Sequence, residues 1–495
     1  MDVVIVGTGA GGGTCAEIMA AQGLNVLLIE EGTLQTSKDF RMLEKNAFIH
    51  LYQDLANRQS TDGAISIFQG KGVGGSTTVN WCSSFRTPDP VLKHWQQIFG
   101  LQELSSENLA PWFTMSEKRL SIVDWPMPDN GNNAVLARGA QKLGITFDKI
   151  KRNVLGCINL GYCGLGCPVN GKQSMLVTTI PESLRQGSTL IFNAKVNKVN
   201  WRNNRVESVS FSSSSNDKHQ HDFKVEAKHY VLAAGSMGTP GVLLRSEAPD
   251  PYNLLGKRTF LHPVLVSSAL MPEEIAAYKG APQTIYSDHF ISPLPEQQIG
   301  YKIEVSPMQP VLWSILNRGY GKEHFQRQQE FPHRQVSLAL LRDGFHPEST
   351  GGQVTLHSDG TPALDYPISK YVWNGARRAL KSMVEIQFAA GAKSVNPLHV
   401  QAGDYTSWKE AKHSIDQLAM QPRQTKILSA HVMGGCMMGT EEKTSVVNKD
   451  GRHHQLENLS VMDGSLFPTS LGANPQLSIF GIVSMLATRL TNELA

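Results

Sequence analysis

The sequence predicts an α/β fold, α+β when the whole chain is counted, and three observations carry that prediction. The chain opens on a short apolar run, Asp2-Val-Val-Ile-Val, that enters Gly7-Thr-Gly9-Ala-Gly-Gly12. A helical stretch, Cys15-Ala-Glu-Ile-Met-Ala-Ala-Gln-Gly23, comes next, and a second apolar run, Val26-Leu-Leu-Ile, ends on Glu30. Glycine-rich segments then return near residue 70, near residue 235 and from residue 431 onward.

The first of these is a Rossmann-like strand–turn–helix unit that binds a dinucleotide. Gly7 permits the tight turn, Gly9 lets backbone approach a pyrophosphate, and Gly12 lets helix and strand pack closely. The helix N-terminus offers free N–H groups and the positive end of its dipole to phosphate. Glu30 closes the second strand, where a carboxylate accepts hydrogen bonds from a ribose.

Composition narrows what surrounds this unit. A chain of 495 residues is too long for one simple core, so two domains are expected. The formal net charge is only +3 with no basic stripe, which argues against nucleic acid as a partner. The mild basicity is compatible with contact to an acidic membrane surface. No leader is read before Asp2, and no run of 18 apolar residues is present, so no transmembrane segment is expected. Leu477 to Leu490 carries Ser478, Gly481, Ser484, Thr488 and Arg489 and reads as a packed C-terminal helix. The expected location is cytoplasmic, with membrane association at the periphery as the variant.

Further along, glycines cluster at Gly70-Lys-Gly72-Val-Gly74-Gly75-Ser76-Thr-Thr-Val-Asn80. A polar, Pro-punctuated stretch runs from Arg86 to about Lys151, and a Cys- and Gly-rich loop from Cys157 to Gly171. One strand is expected over Thr189 to Val196 and another over Val206 to Phe211. Ser212 to His221 reads as a polar hairpin tip. A buried strand, His229-Tyr-Val-Leu-Ala-Ala234-Gly235, precedes an apolar helix, and short strands such as Gly352 to His357 fill residues 265 to 425. Dinucleotide-type segments at both ends and in the middle imply a discontinuous binding domain with a second domain inserted between its pieces.

Several of these segments together resemble the glucose–methanol–choline family of flavin oxidoreductases, over nearly the whole chain. The motifs that carry the resemblance are Gly74-Gly-Ser-Thr-Thr-Val-Asn80, Ala233-Ala-Gly-Ser-Met-Gly-Thr-Pro-Gly-Val-Leu-Leu-Arg-Ser246, His431-Val-Met-Gly-Gly-Cys-Met-Met-Gly439, Val461-Met-Asp-Gly-Ser-Leu-Phe-Pro468 and Asn474-Pro475. Asn80-Trp-Cys-Ser-Ser-Phe-Arg-Thr-Pro88 and Cys163-Gly-Leu-Gly-Cys-Pro-Val-Asn-Gly171 are most similar to the long-chain alcohol oxidase and dehydrogenase branch. The resemblance implies FAD as cofactor and oxidation of an alcohol. It implies a Rossmann-like FAD-binding domain (residues 1–85, 186–265 and 426–495) and an inserted substrate-binding domain on a mostly antiparallel sheet (86–185 and 266–425). The family's second catalytic position is often His, and here it is Asn474.

Within that resemblance the expected roles follow. Oxidising an alcohol removes a hydroxyl proton and a carbon-bound hydride, and a flavin takes the hydride at N5. His431 is the expected base and Asn474 the group that orients the substrate oxygen, with Pro475 fixing the backbone beside it. Gly74, Gly75 and Ser76 are expected to wrap phosphate or the flavin edge, and Asn80 to hold the ring or substrate. Val196 would end a strand against adenine, Ala234 and Gly235 would continue the cradle, and Asp463-Gly464 would meet the ribityl–phosphate stretch. His262, before Pro263, reads as structural.

Cys157, Cys163 and Cys167 give a C-x5-C-x3-C spacing that can hold an iron–sulfur cluster. Structural thiols and a disulfide are the other readings, and Cys15, Cys82 and Cys436 read as buried thiols. With a cluster, the chain would be a sugar or polyol dehydrogenase passing electrons to a cytochrome. Without one it acts on a hydrophobic primary alcohol, with O2, a quinone or a protein as electron acceptor. A third reading is a non-catalytic flavin-binding protein. Pro310-Val-Leu-Trp-Ser-Ile-Leu316 is expected to line an apolar channel, touch a membrane or sit in the core.

Overall fold

A five-stranded, all-parallel sheet lies at the centre of the first core. Its order is Leu459–Val461, His229–Leu232, Val3–Val6, Val26–Ile29 and Thr189–Ile191. The computed structural model describes residues 1–214, 222–292, 298–317 and 319–495. Its strands are short, and all but the edge strand Thr189–Ile191 are buried along their whole length, as continuous apolar runs dictate when helices cover both faces. Val3 to Val6 pair in register with His229 to Leu232 on one side and Val26 to Ile29 on the other. The C-terminal strand joins through Val231 opposite Ser460, so the chain's two ends meet in one sheet.

The first helix, Ala10–Ala21, is buried over most of its length and packs against the C-terminal helix, Gln476–Leu494. That second helix is nearly as enclosed, which explains its Ser and Gly content: small residues let neighbours approach. A Cβ on Gly481 would stand 2.5 Å from the Phe113 ring.

A second sheet is mostly antiparallel and belongs to a separate apolar core. Its order is Tyr301–Val305, Arg334–Leu341, Val264–Leu270, Ile427–Ser429 and Ile65–Ile67, with Ser394–Asn396 also on Val264–Leu270. Only the pairing of Ile427–Ser429 with Ile65–Ile67 is parallel. The 20-residue helix Lys370–Ala389 buries Val372, Ala376, Leu380, Met383 and Val384 against this sheet, at the i, i+4 spacing of one helical face.

Several expectations change in detail. The strand expected over Thr189 to Val196 is two strands, Thr189–Ile191 and Ala194–Arg202. Asn193 breaks it, with a left-handed backbone (φ +56°) that Asn tolerates better than most residues. The polar stretch after Arg86 holds three helices, Asp89–Phe99, Ser106–Arg119 and Gly131–Lys142. Pro310–Leu316 is a one-sided helix whose Trp313 and Leu316 are buried while Val311 and Ile315 face solvent. In the expected hairpin tip, residues 215–221 lie outside the described residues. No described helix is long and apolar enough to cross a membrane.

Candidate active site

Glycine backbone forms one end of a cavity of about 1500 Å³ that runs from the parallel sheet to the antiparallel one. That volume exceeds the usual ligand pocket of roughly 300–1,000 Å³, which leaves room for a dinucleotide and a substrate together. Gly7 turns with φ +99°, and a Cβ there would lie 2.4 Å from the Ala233 carbonyl oxygen. A Cβ on Gly12 would lie 2.0 Å from the Gly7 carbonyl oxygen, so this residue sets the helix-to-strand distance. Gly11, which sequence reasoning passed over, is tighter still: its Cβ would stand 1.7 Å from the Met462 carbonyl oxygen.

Gly9 behaves differently. Its Cβ would point into the cavity, with only the Gly75 Cα as near as 3.9 Å. Gly235 likewise has open space where a Cβ would be. The first helix starts at Ala10 with no side-chain cap and no acidic residue in its first turn, so its N–H groups are left for a phosphate. The cradle fits a dinucleotide.

The remaining cradle residues are held by a dense set of bonds. Glu30 is buried and its Oε2 accepts from the Thr8 N–H (3.0 Å) and the Thr8 hydroxyl (2.7 Å). Its Oε1 accepts from the N–H groups of Gly32 (3.0 Å) and Gly72 (3.3 Å). The Thr8 hydroxyl in turn accepts from the Gly74 N–H, and the Ser76 hydroxyl from the Gly70 N–H. Glu30 thus stitches both glycine loops together at the cavity wall.

Asp463 does the same at the opposite side. It accepts from the Gly235 N–H (2.8 Å), the Thr239 hydroxyl (2.6 Å) and both donors of Ser465. Gly464, Ala234 and Pro475 line the cavity beside it. The Asn80 amide donates to Gln476, whose own amide donates to the Ser83 carbonyl (2.8 Å), which ties the glycine loop to the start of the last helix. Val196 lines the cavity but does not end a strand. It sits inside Ala194–Arg202, beside a break in pairing register after position 196. Such a bulge leaves backbone unpaired.

His431 and Asn474 both face this cavity, although no short-range pattern joins them. His431 Nδ1 lies 3.3 Å from Nδ1 of His262, a fully buried ring. His262 Nε2 accepts from the N–H groups of Leu471 (3.2 Å) and Gly472 (2.8 Å), so that nitrogen carries no proton. The His262 proton therefore sits on Nδ1 and is donated to His431 Nδ1. A neutral His431 then carries its own proton on Nε2. Burial pushes the His431 pKa down to about 4, so the ring is neutral near pH 7.

The residue expected as the base is thus, in this tautomer, a hydrogen-bond donor toward the cavity. His262, expected to be structural, fixes that tautomer; its adjacency to Pro263 gave no hint of it. Asn474 Nδ2 donates to Glu304 Oε2 (3.3 Å), and Asn474 Oδ1 is buried without a partner.

The three candidate cluster ligands do not converge. Among the described residues no group of three His, Cys, Asp or Glu side chains is placed to hold a metal ion. Cys163 instead neighbours Cys82 and accepts from buried Arg152 at 3.7 Å, while Cys157 packs at the edge of the small apolar cluster around Cys82. Lys172 closes this loop by donating to the carbonyls of Thr78, Asn80 and Cys163. The donor set does not fit an iron–sulfur cluster. Purified protein saturated with flavin is expected to contain no iron in proportion to flavin, which elemental analysis checks.

Residues 2–264 and 347–482 match the two family models described as GMC oxidoreductase. Long-chain-alcohol oxidase FAO1 of Arabidopsis thaliana is 26% identical over 99% of this chain and 66% of its own length. Long-chain-alcohol oxidase FAO4B of the same plant is 28% identical over 100% of this chain and 67% of its own. The chain therefore spans about two thirds of the length of these curated relatives. Among solved structures, pyridoxine 4-oxidase from Mesorbium loti superposes with a TM-score of 0.72 at 17% identity, covering 99% of this chain and 98% of its own. A formate oxidase variant of Aspergillus oryzae RIB40 superposes with a TM-score of 0.76 at 14% identity, over 100% and 99% of the two chains. These two share the fold.

Proposed function

Because the chain belongs to the GMC oxidoreductase family, we propose that it is an FAD-dependent enzyme that oxidises a hydrophobic primary alcohol to the aldehyde. The carrying observation is the cavity: one end is the glycine cradle, and His431 and Asn474 share it with an apolar wall. That wall consists of Val264, Val266, Leu338 and Leu340 from the antiparallel sheet, and Leu312 and Leu316 from the helix Pro310–Leu316. An aliphatic chain gains about 0.8 kcal/mol for each CH2 it buries against such a surface.

FAD, when bound, supplies the hydride acceptor for the carbinol C–H. The residues that would hold it are Gly9, Gly11, Gly75, Ala234, Gly235 and Gly464, with Glu30 and Asp463 fixing the loops around it. Asn80 lines the cavity and is anchored by Gln476. His431 directs its Nε2–H at the alcohol oxygen and Asn474 presents an amide to the same oxygen, which orients the hydroxyl and steadies charge that develops on it. The names of the plant relatives favour dioxygen as the acceptor.

Chain length tests the reading. Over a series from ethanol to 1-dodecanol, kcat/KM is expected to rise by at least about 10-fold for every two to three added methylenes until the wall is filled. Peroxide should form in step with aldehyde. Equal rates across the series, or faster turnover of glucose, would contradict it.

A further inference from the structure

We infer that Cys163 is a modification site: a thiolate that a hydroperoxide oxidises, and whose oxidised sulfur Cys82 then captures as a disulfide. Two observations lead to it. The first is a pair of buried cations that no carboxylate accompanies. Arg152 is fully buried and Lys172 nearly so. Arg152 gives Nη1 to the Gln283 carbonyl and Nη2 to the Cys163 sulfur at 3.7 Å, while its Nε has no partner. Lys172 spends its ammonium on the carbonyls of Thr78, Asn80 and Cys163, and the ionisable groups that face it are Cys82, Cys163, Cys167 and Arg152. Buried charge is costly unless it is paired. Cys163 is the group placed to supply the negative charge, since Arg152 touches its sulfur and Lys172 its carbonyl oxygen.

The second observation is a protonated thiol beside that thiolate. Cys82 is fully buried and donates its S–H to the Cys163 sulfur. That hydrogen bond, with Arg152 and Lys172 behind it, holds the Cys163 thiol well below its ordinary range, and burial pushes Cys82 well above its own. Burial pushes Cys157 up as well. A thiolate is the form that attacks peroxide, and an adjacent thiol is the group that resolves the product.

The pair sits just behind the cavity wall. Cys163 is half-buried between Tyr162 and Gly164, and Cys82 follows Asn80 and Trp81; all four of these neighbours line the cavity. On the function proposed above, with dioxygen as acceptor, that cavity is where peroxide is released. Peroxide supplied from outside undergoes the same chemistry, so the site does not depend on that reading. In the first step the Cys163 sulfur attacks one peroxide oxygen, the O–O bond breaks and hydroxide leaves; the sulfur is oxidised by two electrons to a sulfenic acid. In the second the Cys82 sulfur bonds to the Cys163 sulfur, the S–O bond breaks, and hydroxide departs with the Cys82 proton as water. Overall, two thiols and one H2O2 give one disulfide and two waters. The bond removes the negative charge facing Arg152 and Lys172 and ties the segment after Asn80 to the loop around Cys163, so the cavity wall changes with it.

The test treats substrate-free holoenzyme with hydrogen peroxide, followed by thiol counting and peptide mapping. Of the six free thiols, two should disappear and return with dithiothreitol, and the peptides bearing Cys82 and Cys163 should be found joined. Cys82→Ser should stop at a sulfenic acid on Cys163 that dimedone traps, and Cys163→Ser should keep its remaining thiols at the same dose. Turnover of 1-dodecanol should fall in step with the lost thiols in wild type and resist peroxide in Cys163→Ser. Ultraviolet absorbance provides a readout that needs no oxidation: near pH 7 wild type should carry one thiolate per chain that Cys163→Ser lacks. The assignment is overturned if a different pair of cysteines is joined, if no thiol is lost before the methionines oxidise, or if the two proteins have equal thiolate absorbance. It is also overturned if peroxide slows both proteins alike. A flavin that no alcohol reduces overturns the alcohol reading alone, because peroxide mapping and thiolate absorbance still decide the fate of Cys163.

Discussion

Replacing His431 with Ala is expected to lower kcat/KM for alcohol oxidation about 10³-fold while flavin stays bound. The size follows from what is removed. A fixed N–H donor aimed at an oxygen that gains charge is worth about 10²–10³ in rate, because a buried site cannot recruit water without reorganising. The selectivity follows from position: Glu30 and Asp463 hold the loops of the glycine cradle, so cofactor binding is expected to survive. His431→Gln keeps an N–H donor and should recover part of the loss. Substitution of His262 should act through His431, since it removes the donor that fixes the tautomer and strands the N–H groups of Leu471 and Gly472. Stopped-flow flavin reduction with a long-chain alcohol measures each variant. A His431→Ala protein that reduces its flavin at the wild-type rate would remove His431 from the reaction.

Gly11→Ala is expected to be the most damaging single methyl in the protein. The added carbon would lie 1.7 Å from the Met462 carbonyl oxygen and 2.8 Å from its carbon, both backbone atoms that cannot turn aside. The first helix and the last strand would have to separate. The next residue after Met462 is Asp463, which holds Gly235 and Thr239 in place. The clash therefore reaches the cradle, and about 3 kcal/mol or more of stability should be lost together with flavin binding. Gly23→Ala is the control: its φ is left-handed, at +81°, and open space surrounds it, so only about 1 kcal/mol of backbone strain is expected. Thermal unfolding and bound-flavin content, read on both variants, separate close packing from strain.

The legible parts of this chain are those that short-range sequence encodes. The strand–glycine–helix unit at residues 3–30 follows from local chemistry, and so does the C-terminal helix, whose observed span, Gln476–Leu494, contains the expected one. Asn193 shows the limit: a single residue with φ +56° divided one apolar run into two strands. The site is less legible, because its bonds join distant segments. His262 meets His431 across 169 residues, and Asn474 meets Glu304 across 170. Glu304 sits in Tyr-Lys-Ile-Glu-Val, which reads as an ordinary alternating strand with a polar outer face. Only the sheet's position against the cavity turns that face inward. The cysteine spacing left a cluster and plain thiols both open for the same reason: distance along the chain says nothing about whether three sulfurs point at one centre, and here Cys163 turns toward Cys82.

On the function proposed above, an alcohol gives up its hydride at the cavity shared by the glycine cradle, His431 and Asn474. The most direct measurement is an anaerobic absorbance titration of the purified flavin-bound protein with 1-dodecanol, followed by the same titration of His431→Ala. The wild-type flavin is expected to bleach with one equivalent of aldehyde formed per flavin, and the variant to bleach about 10³-fold more slowly. A wild-type flavin that stays oxidised with every alcohol, short or long, would contradict the account.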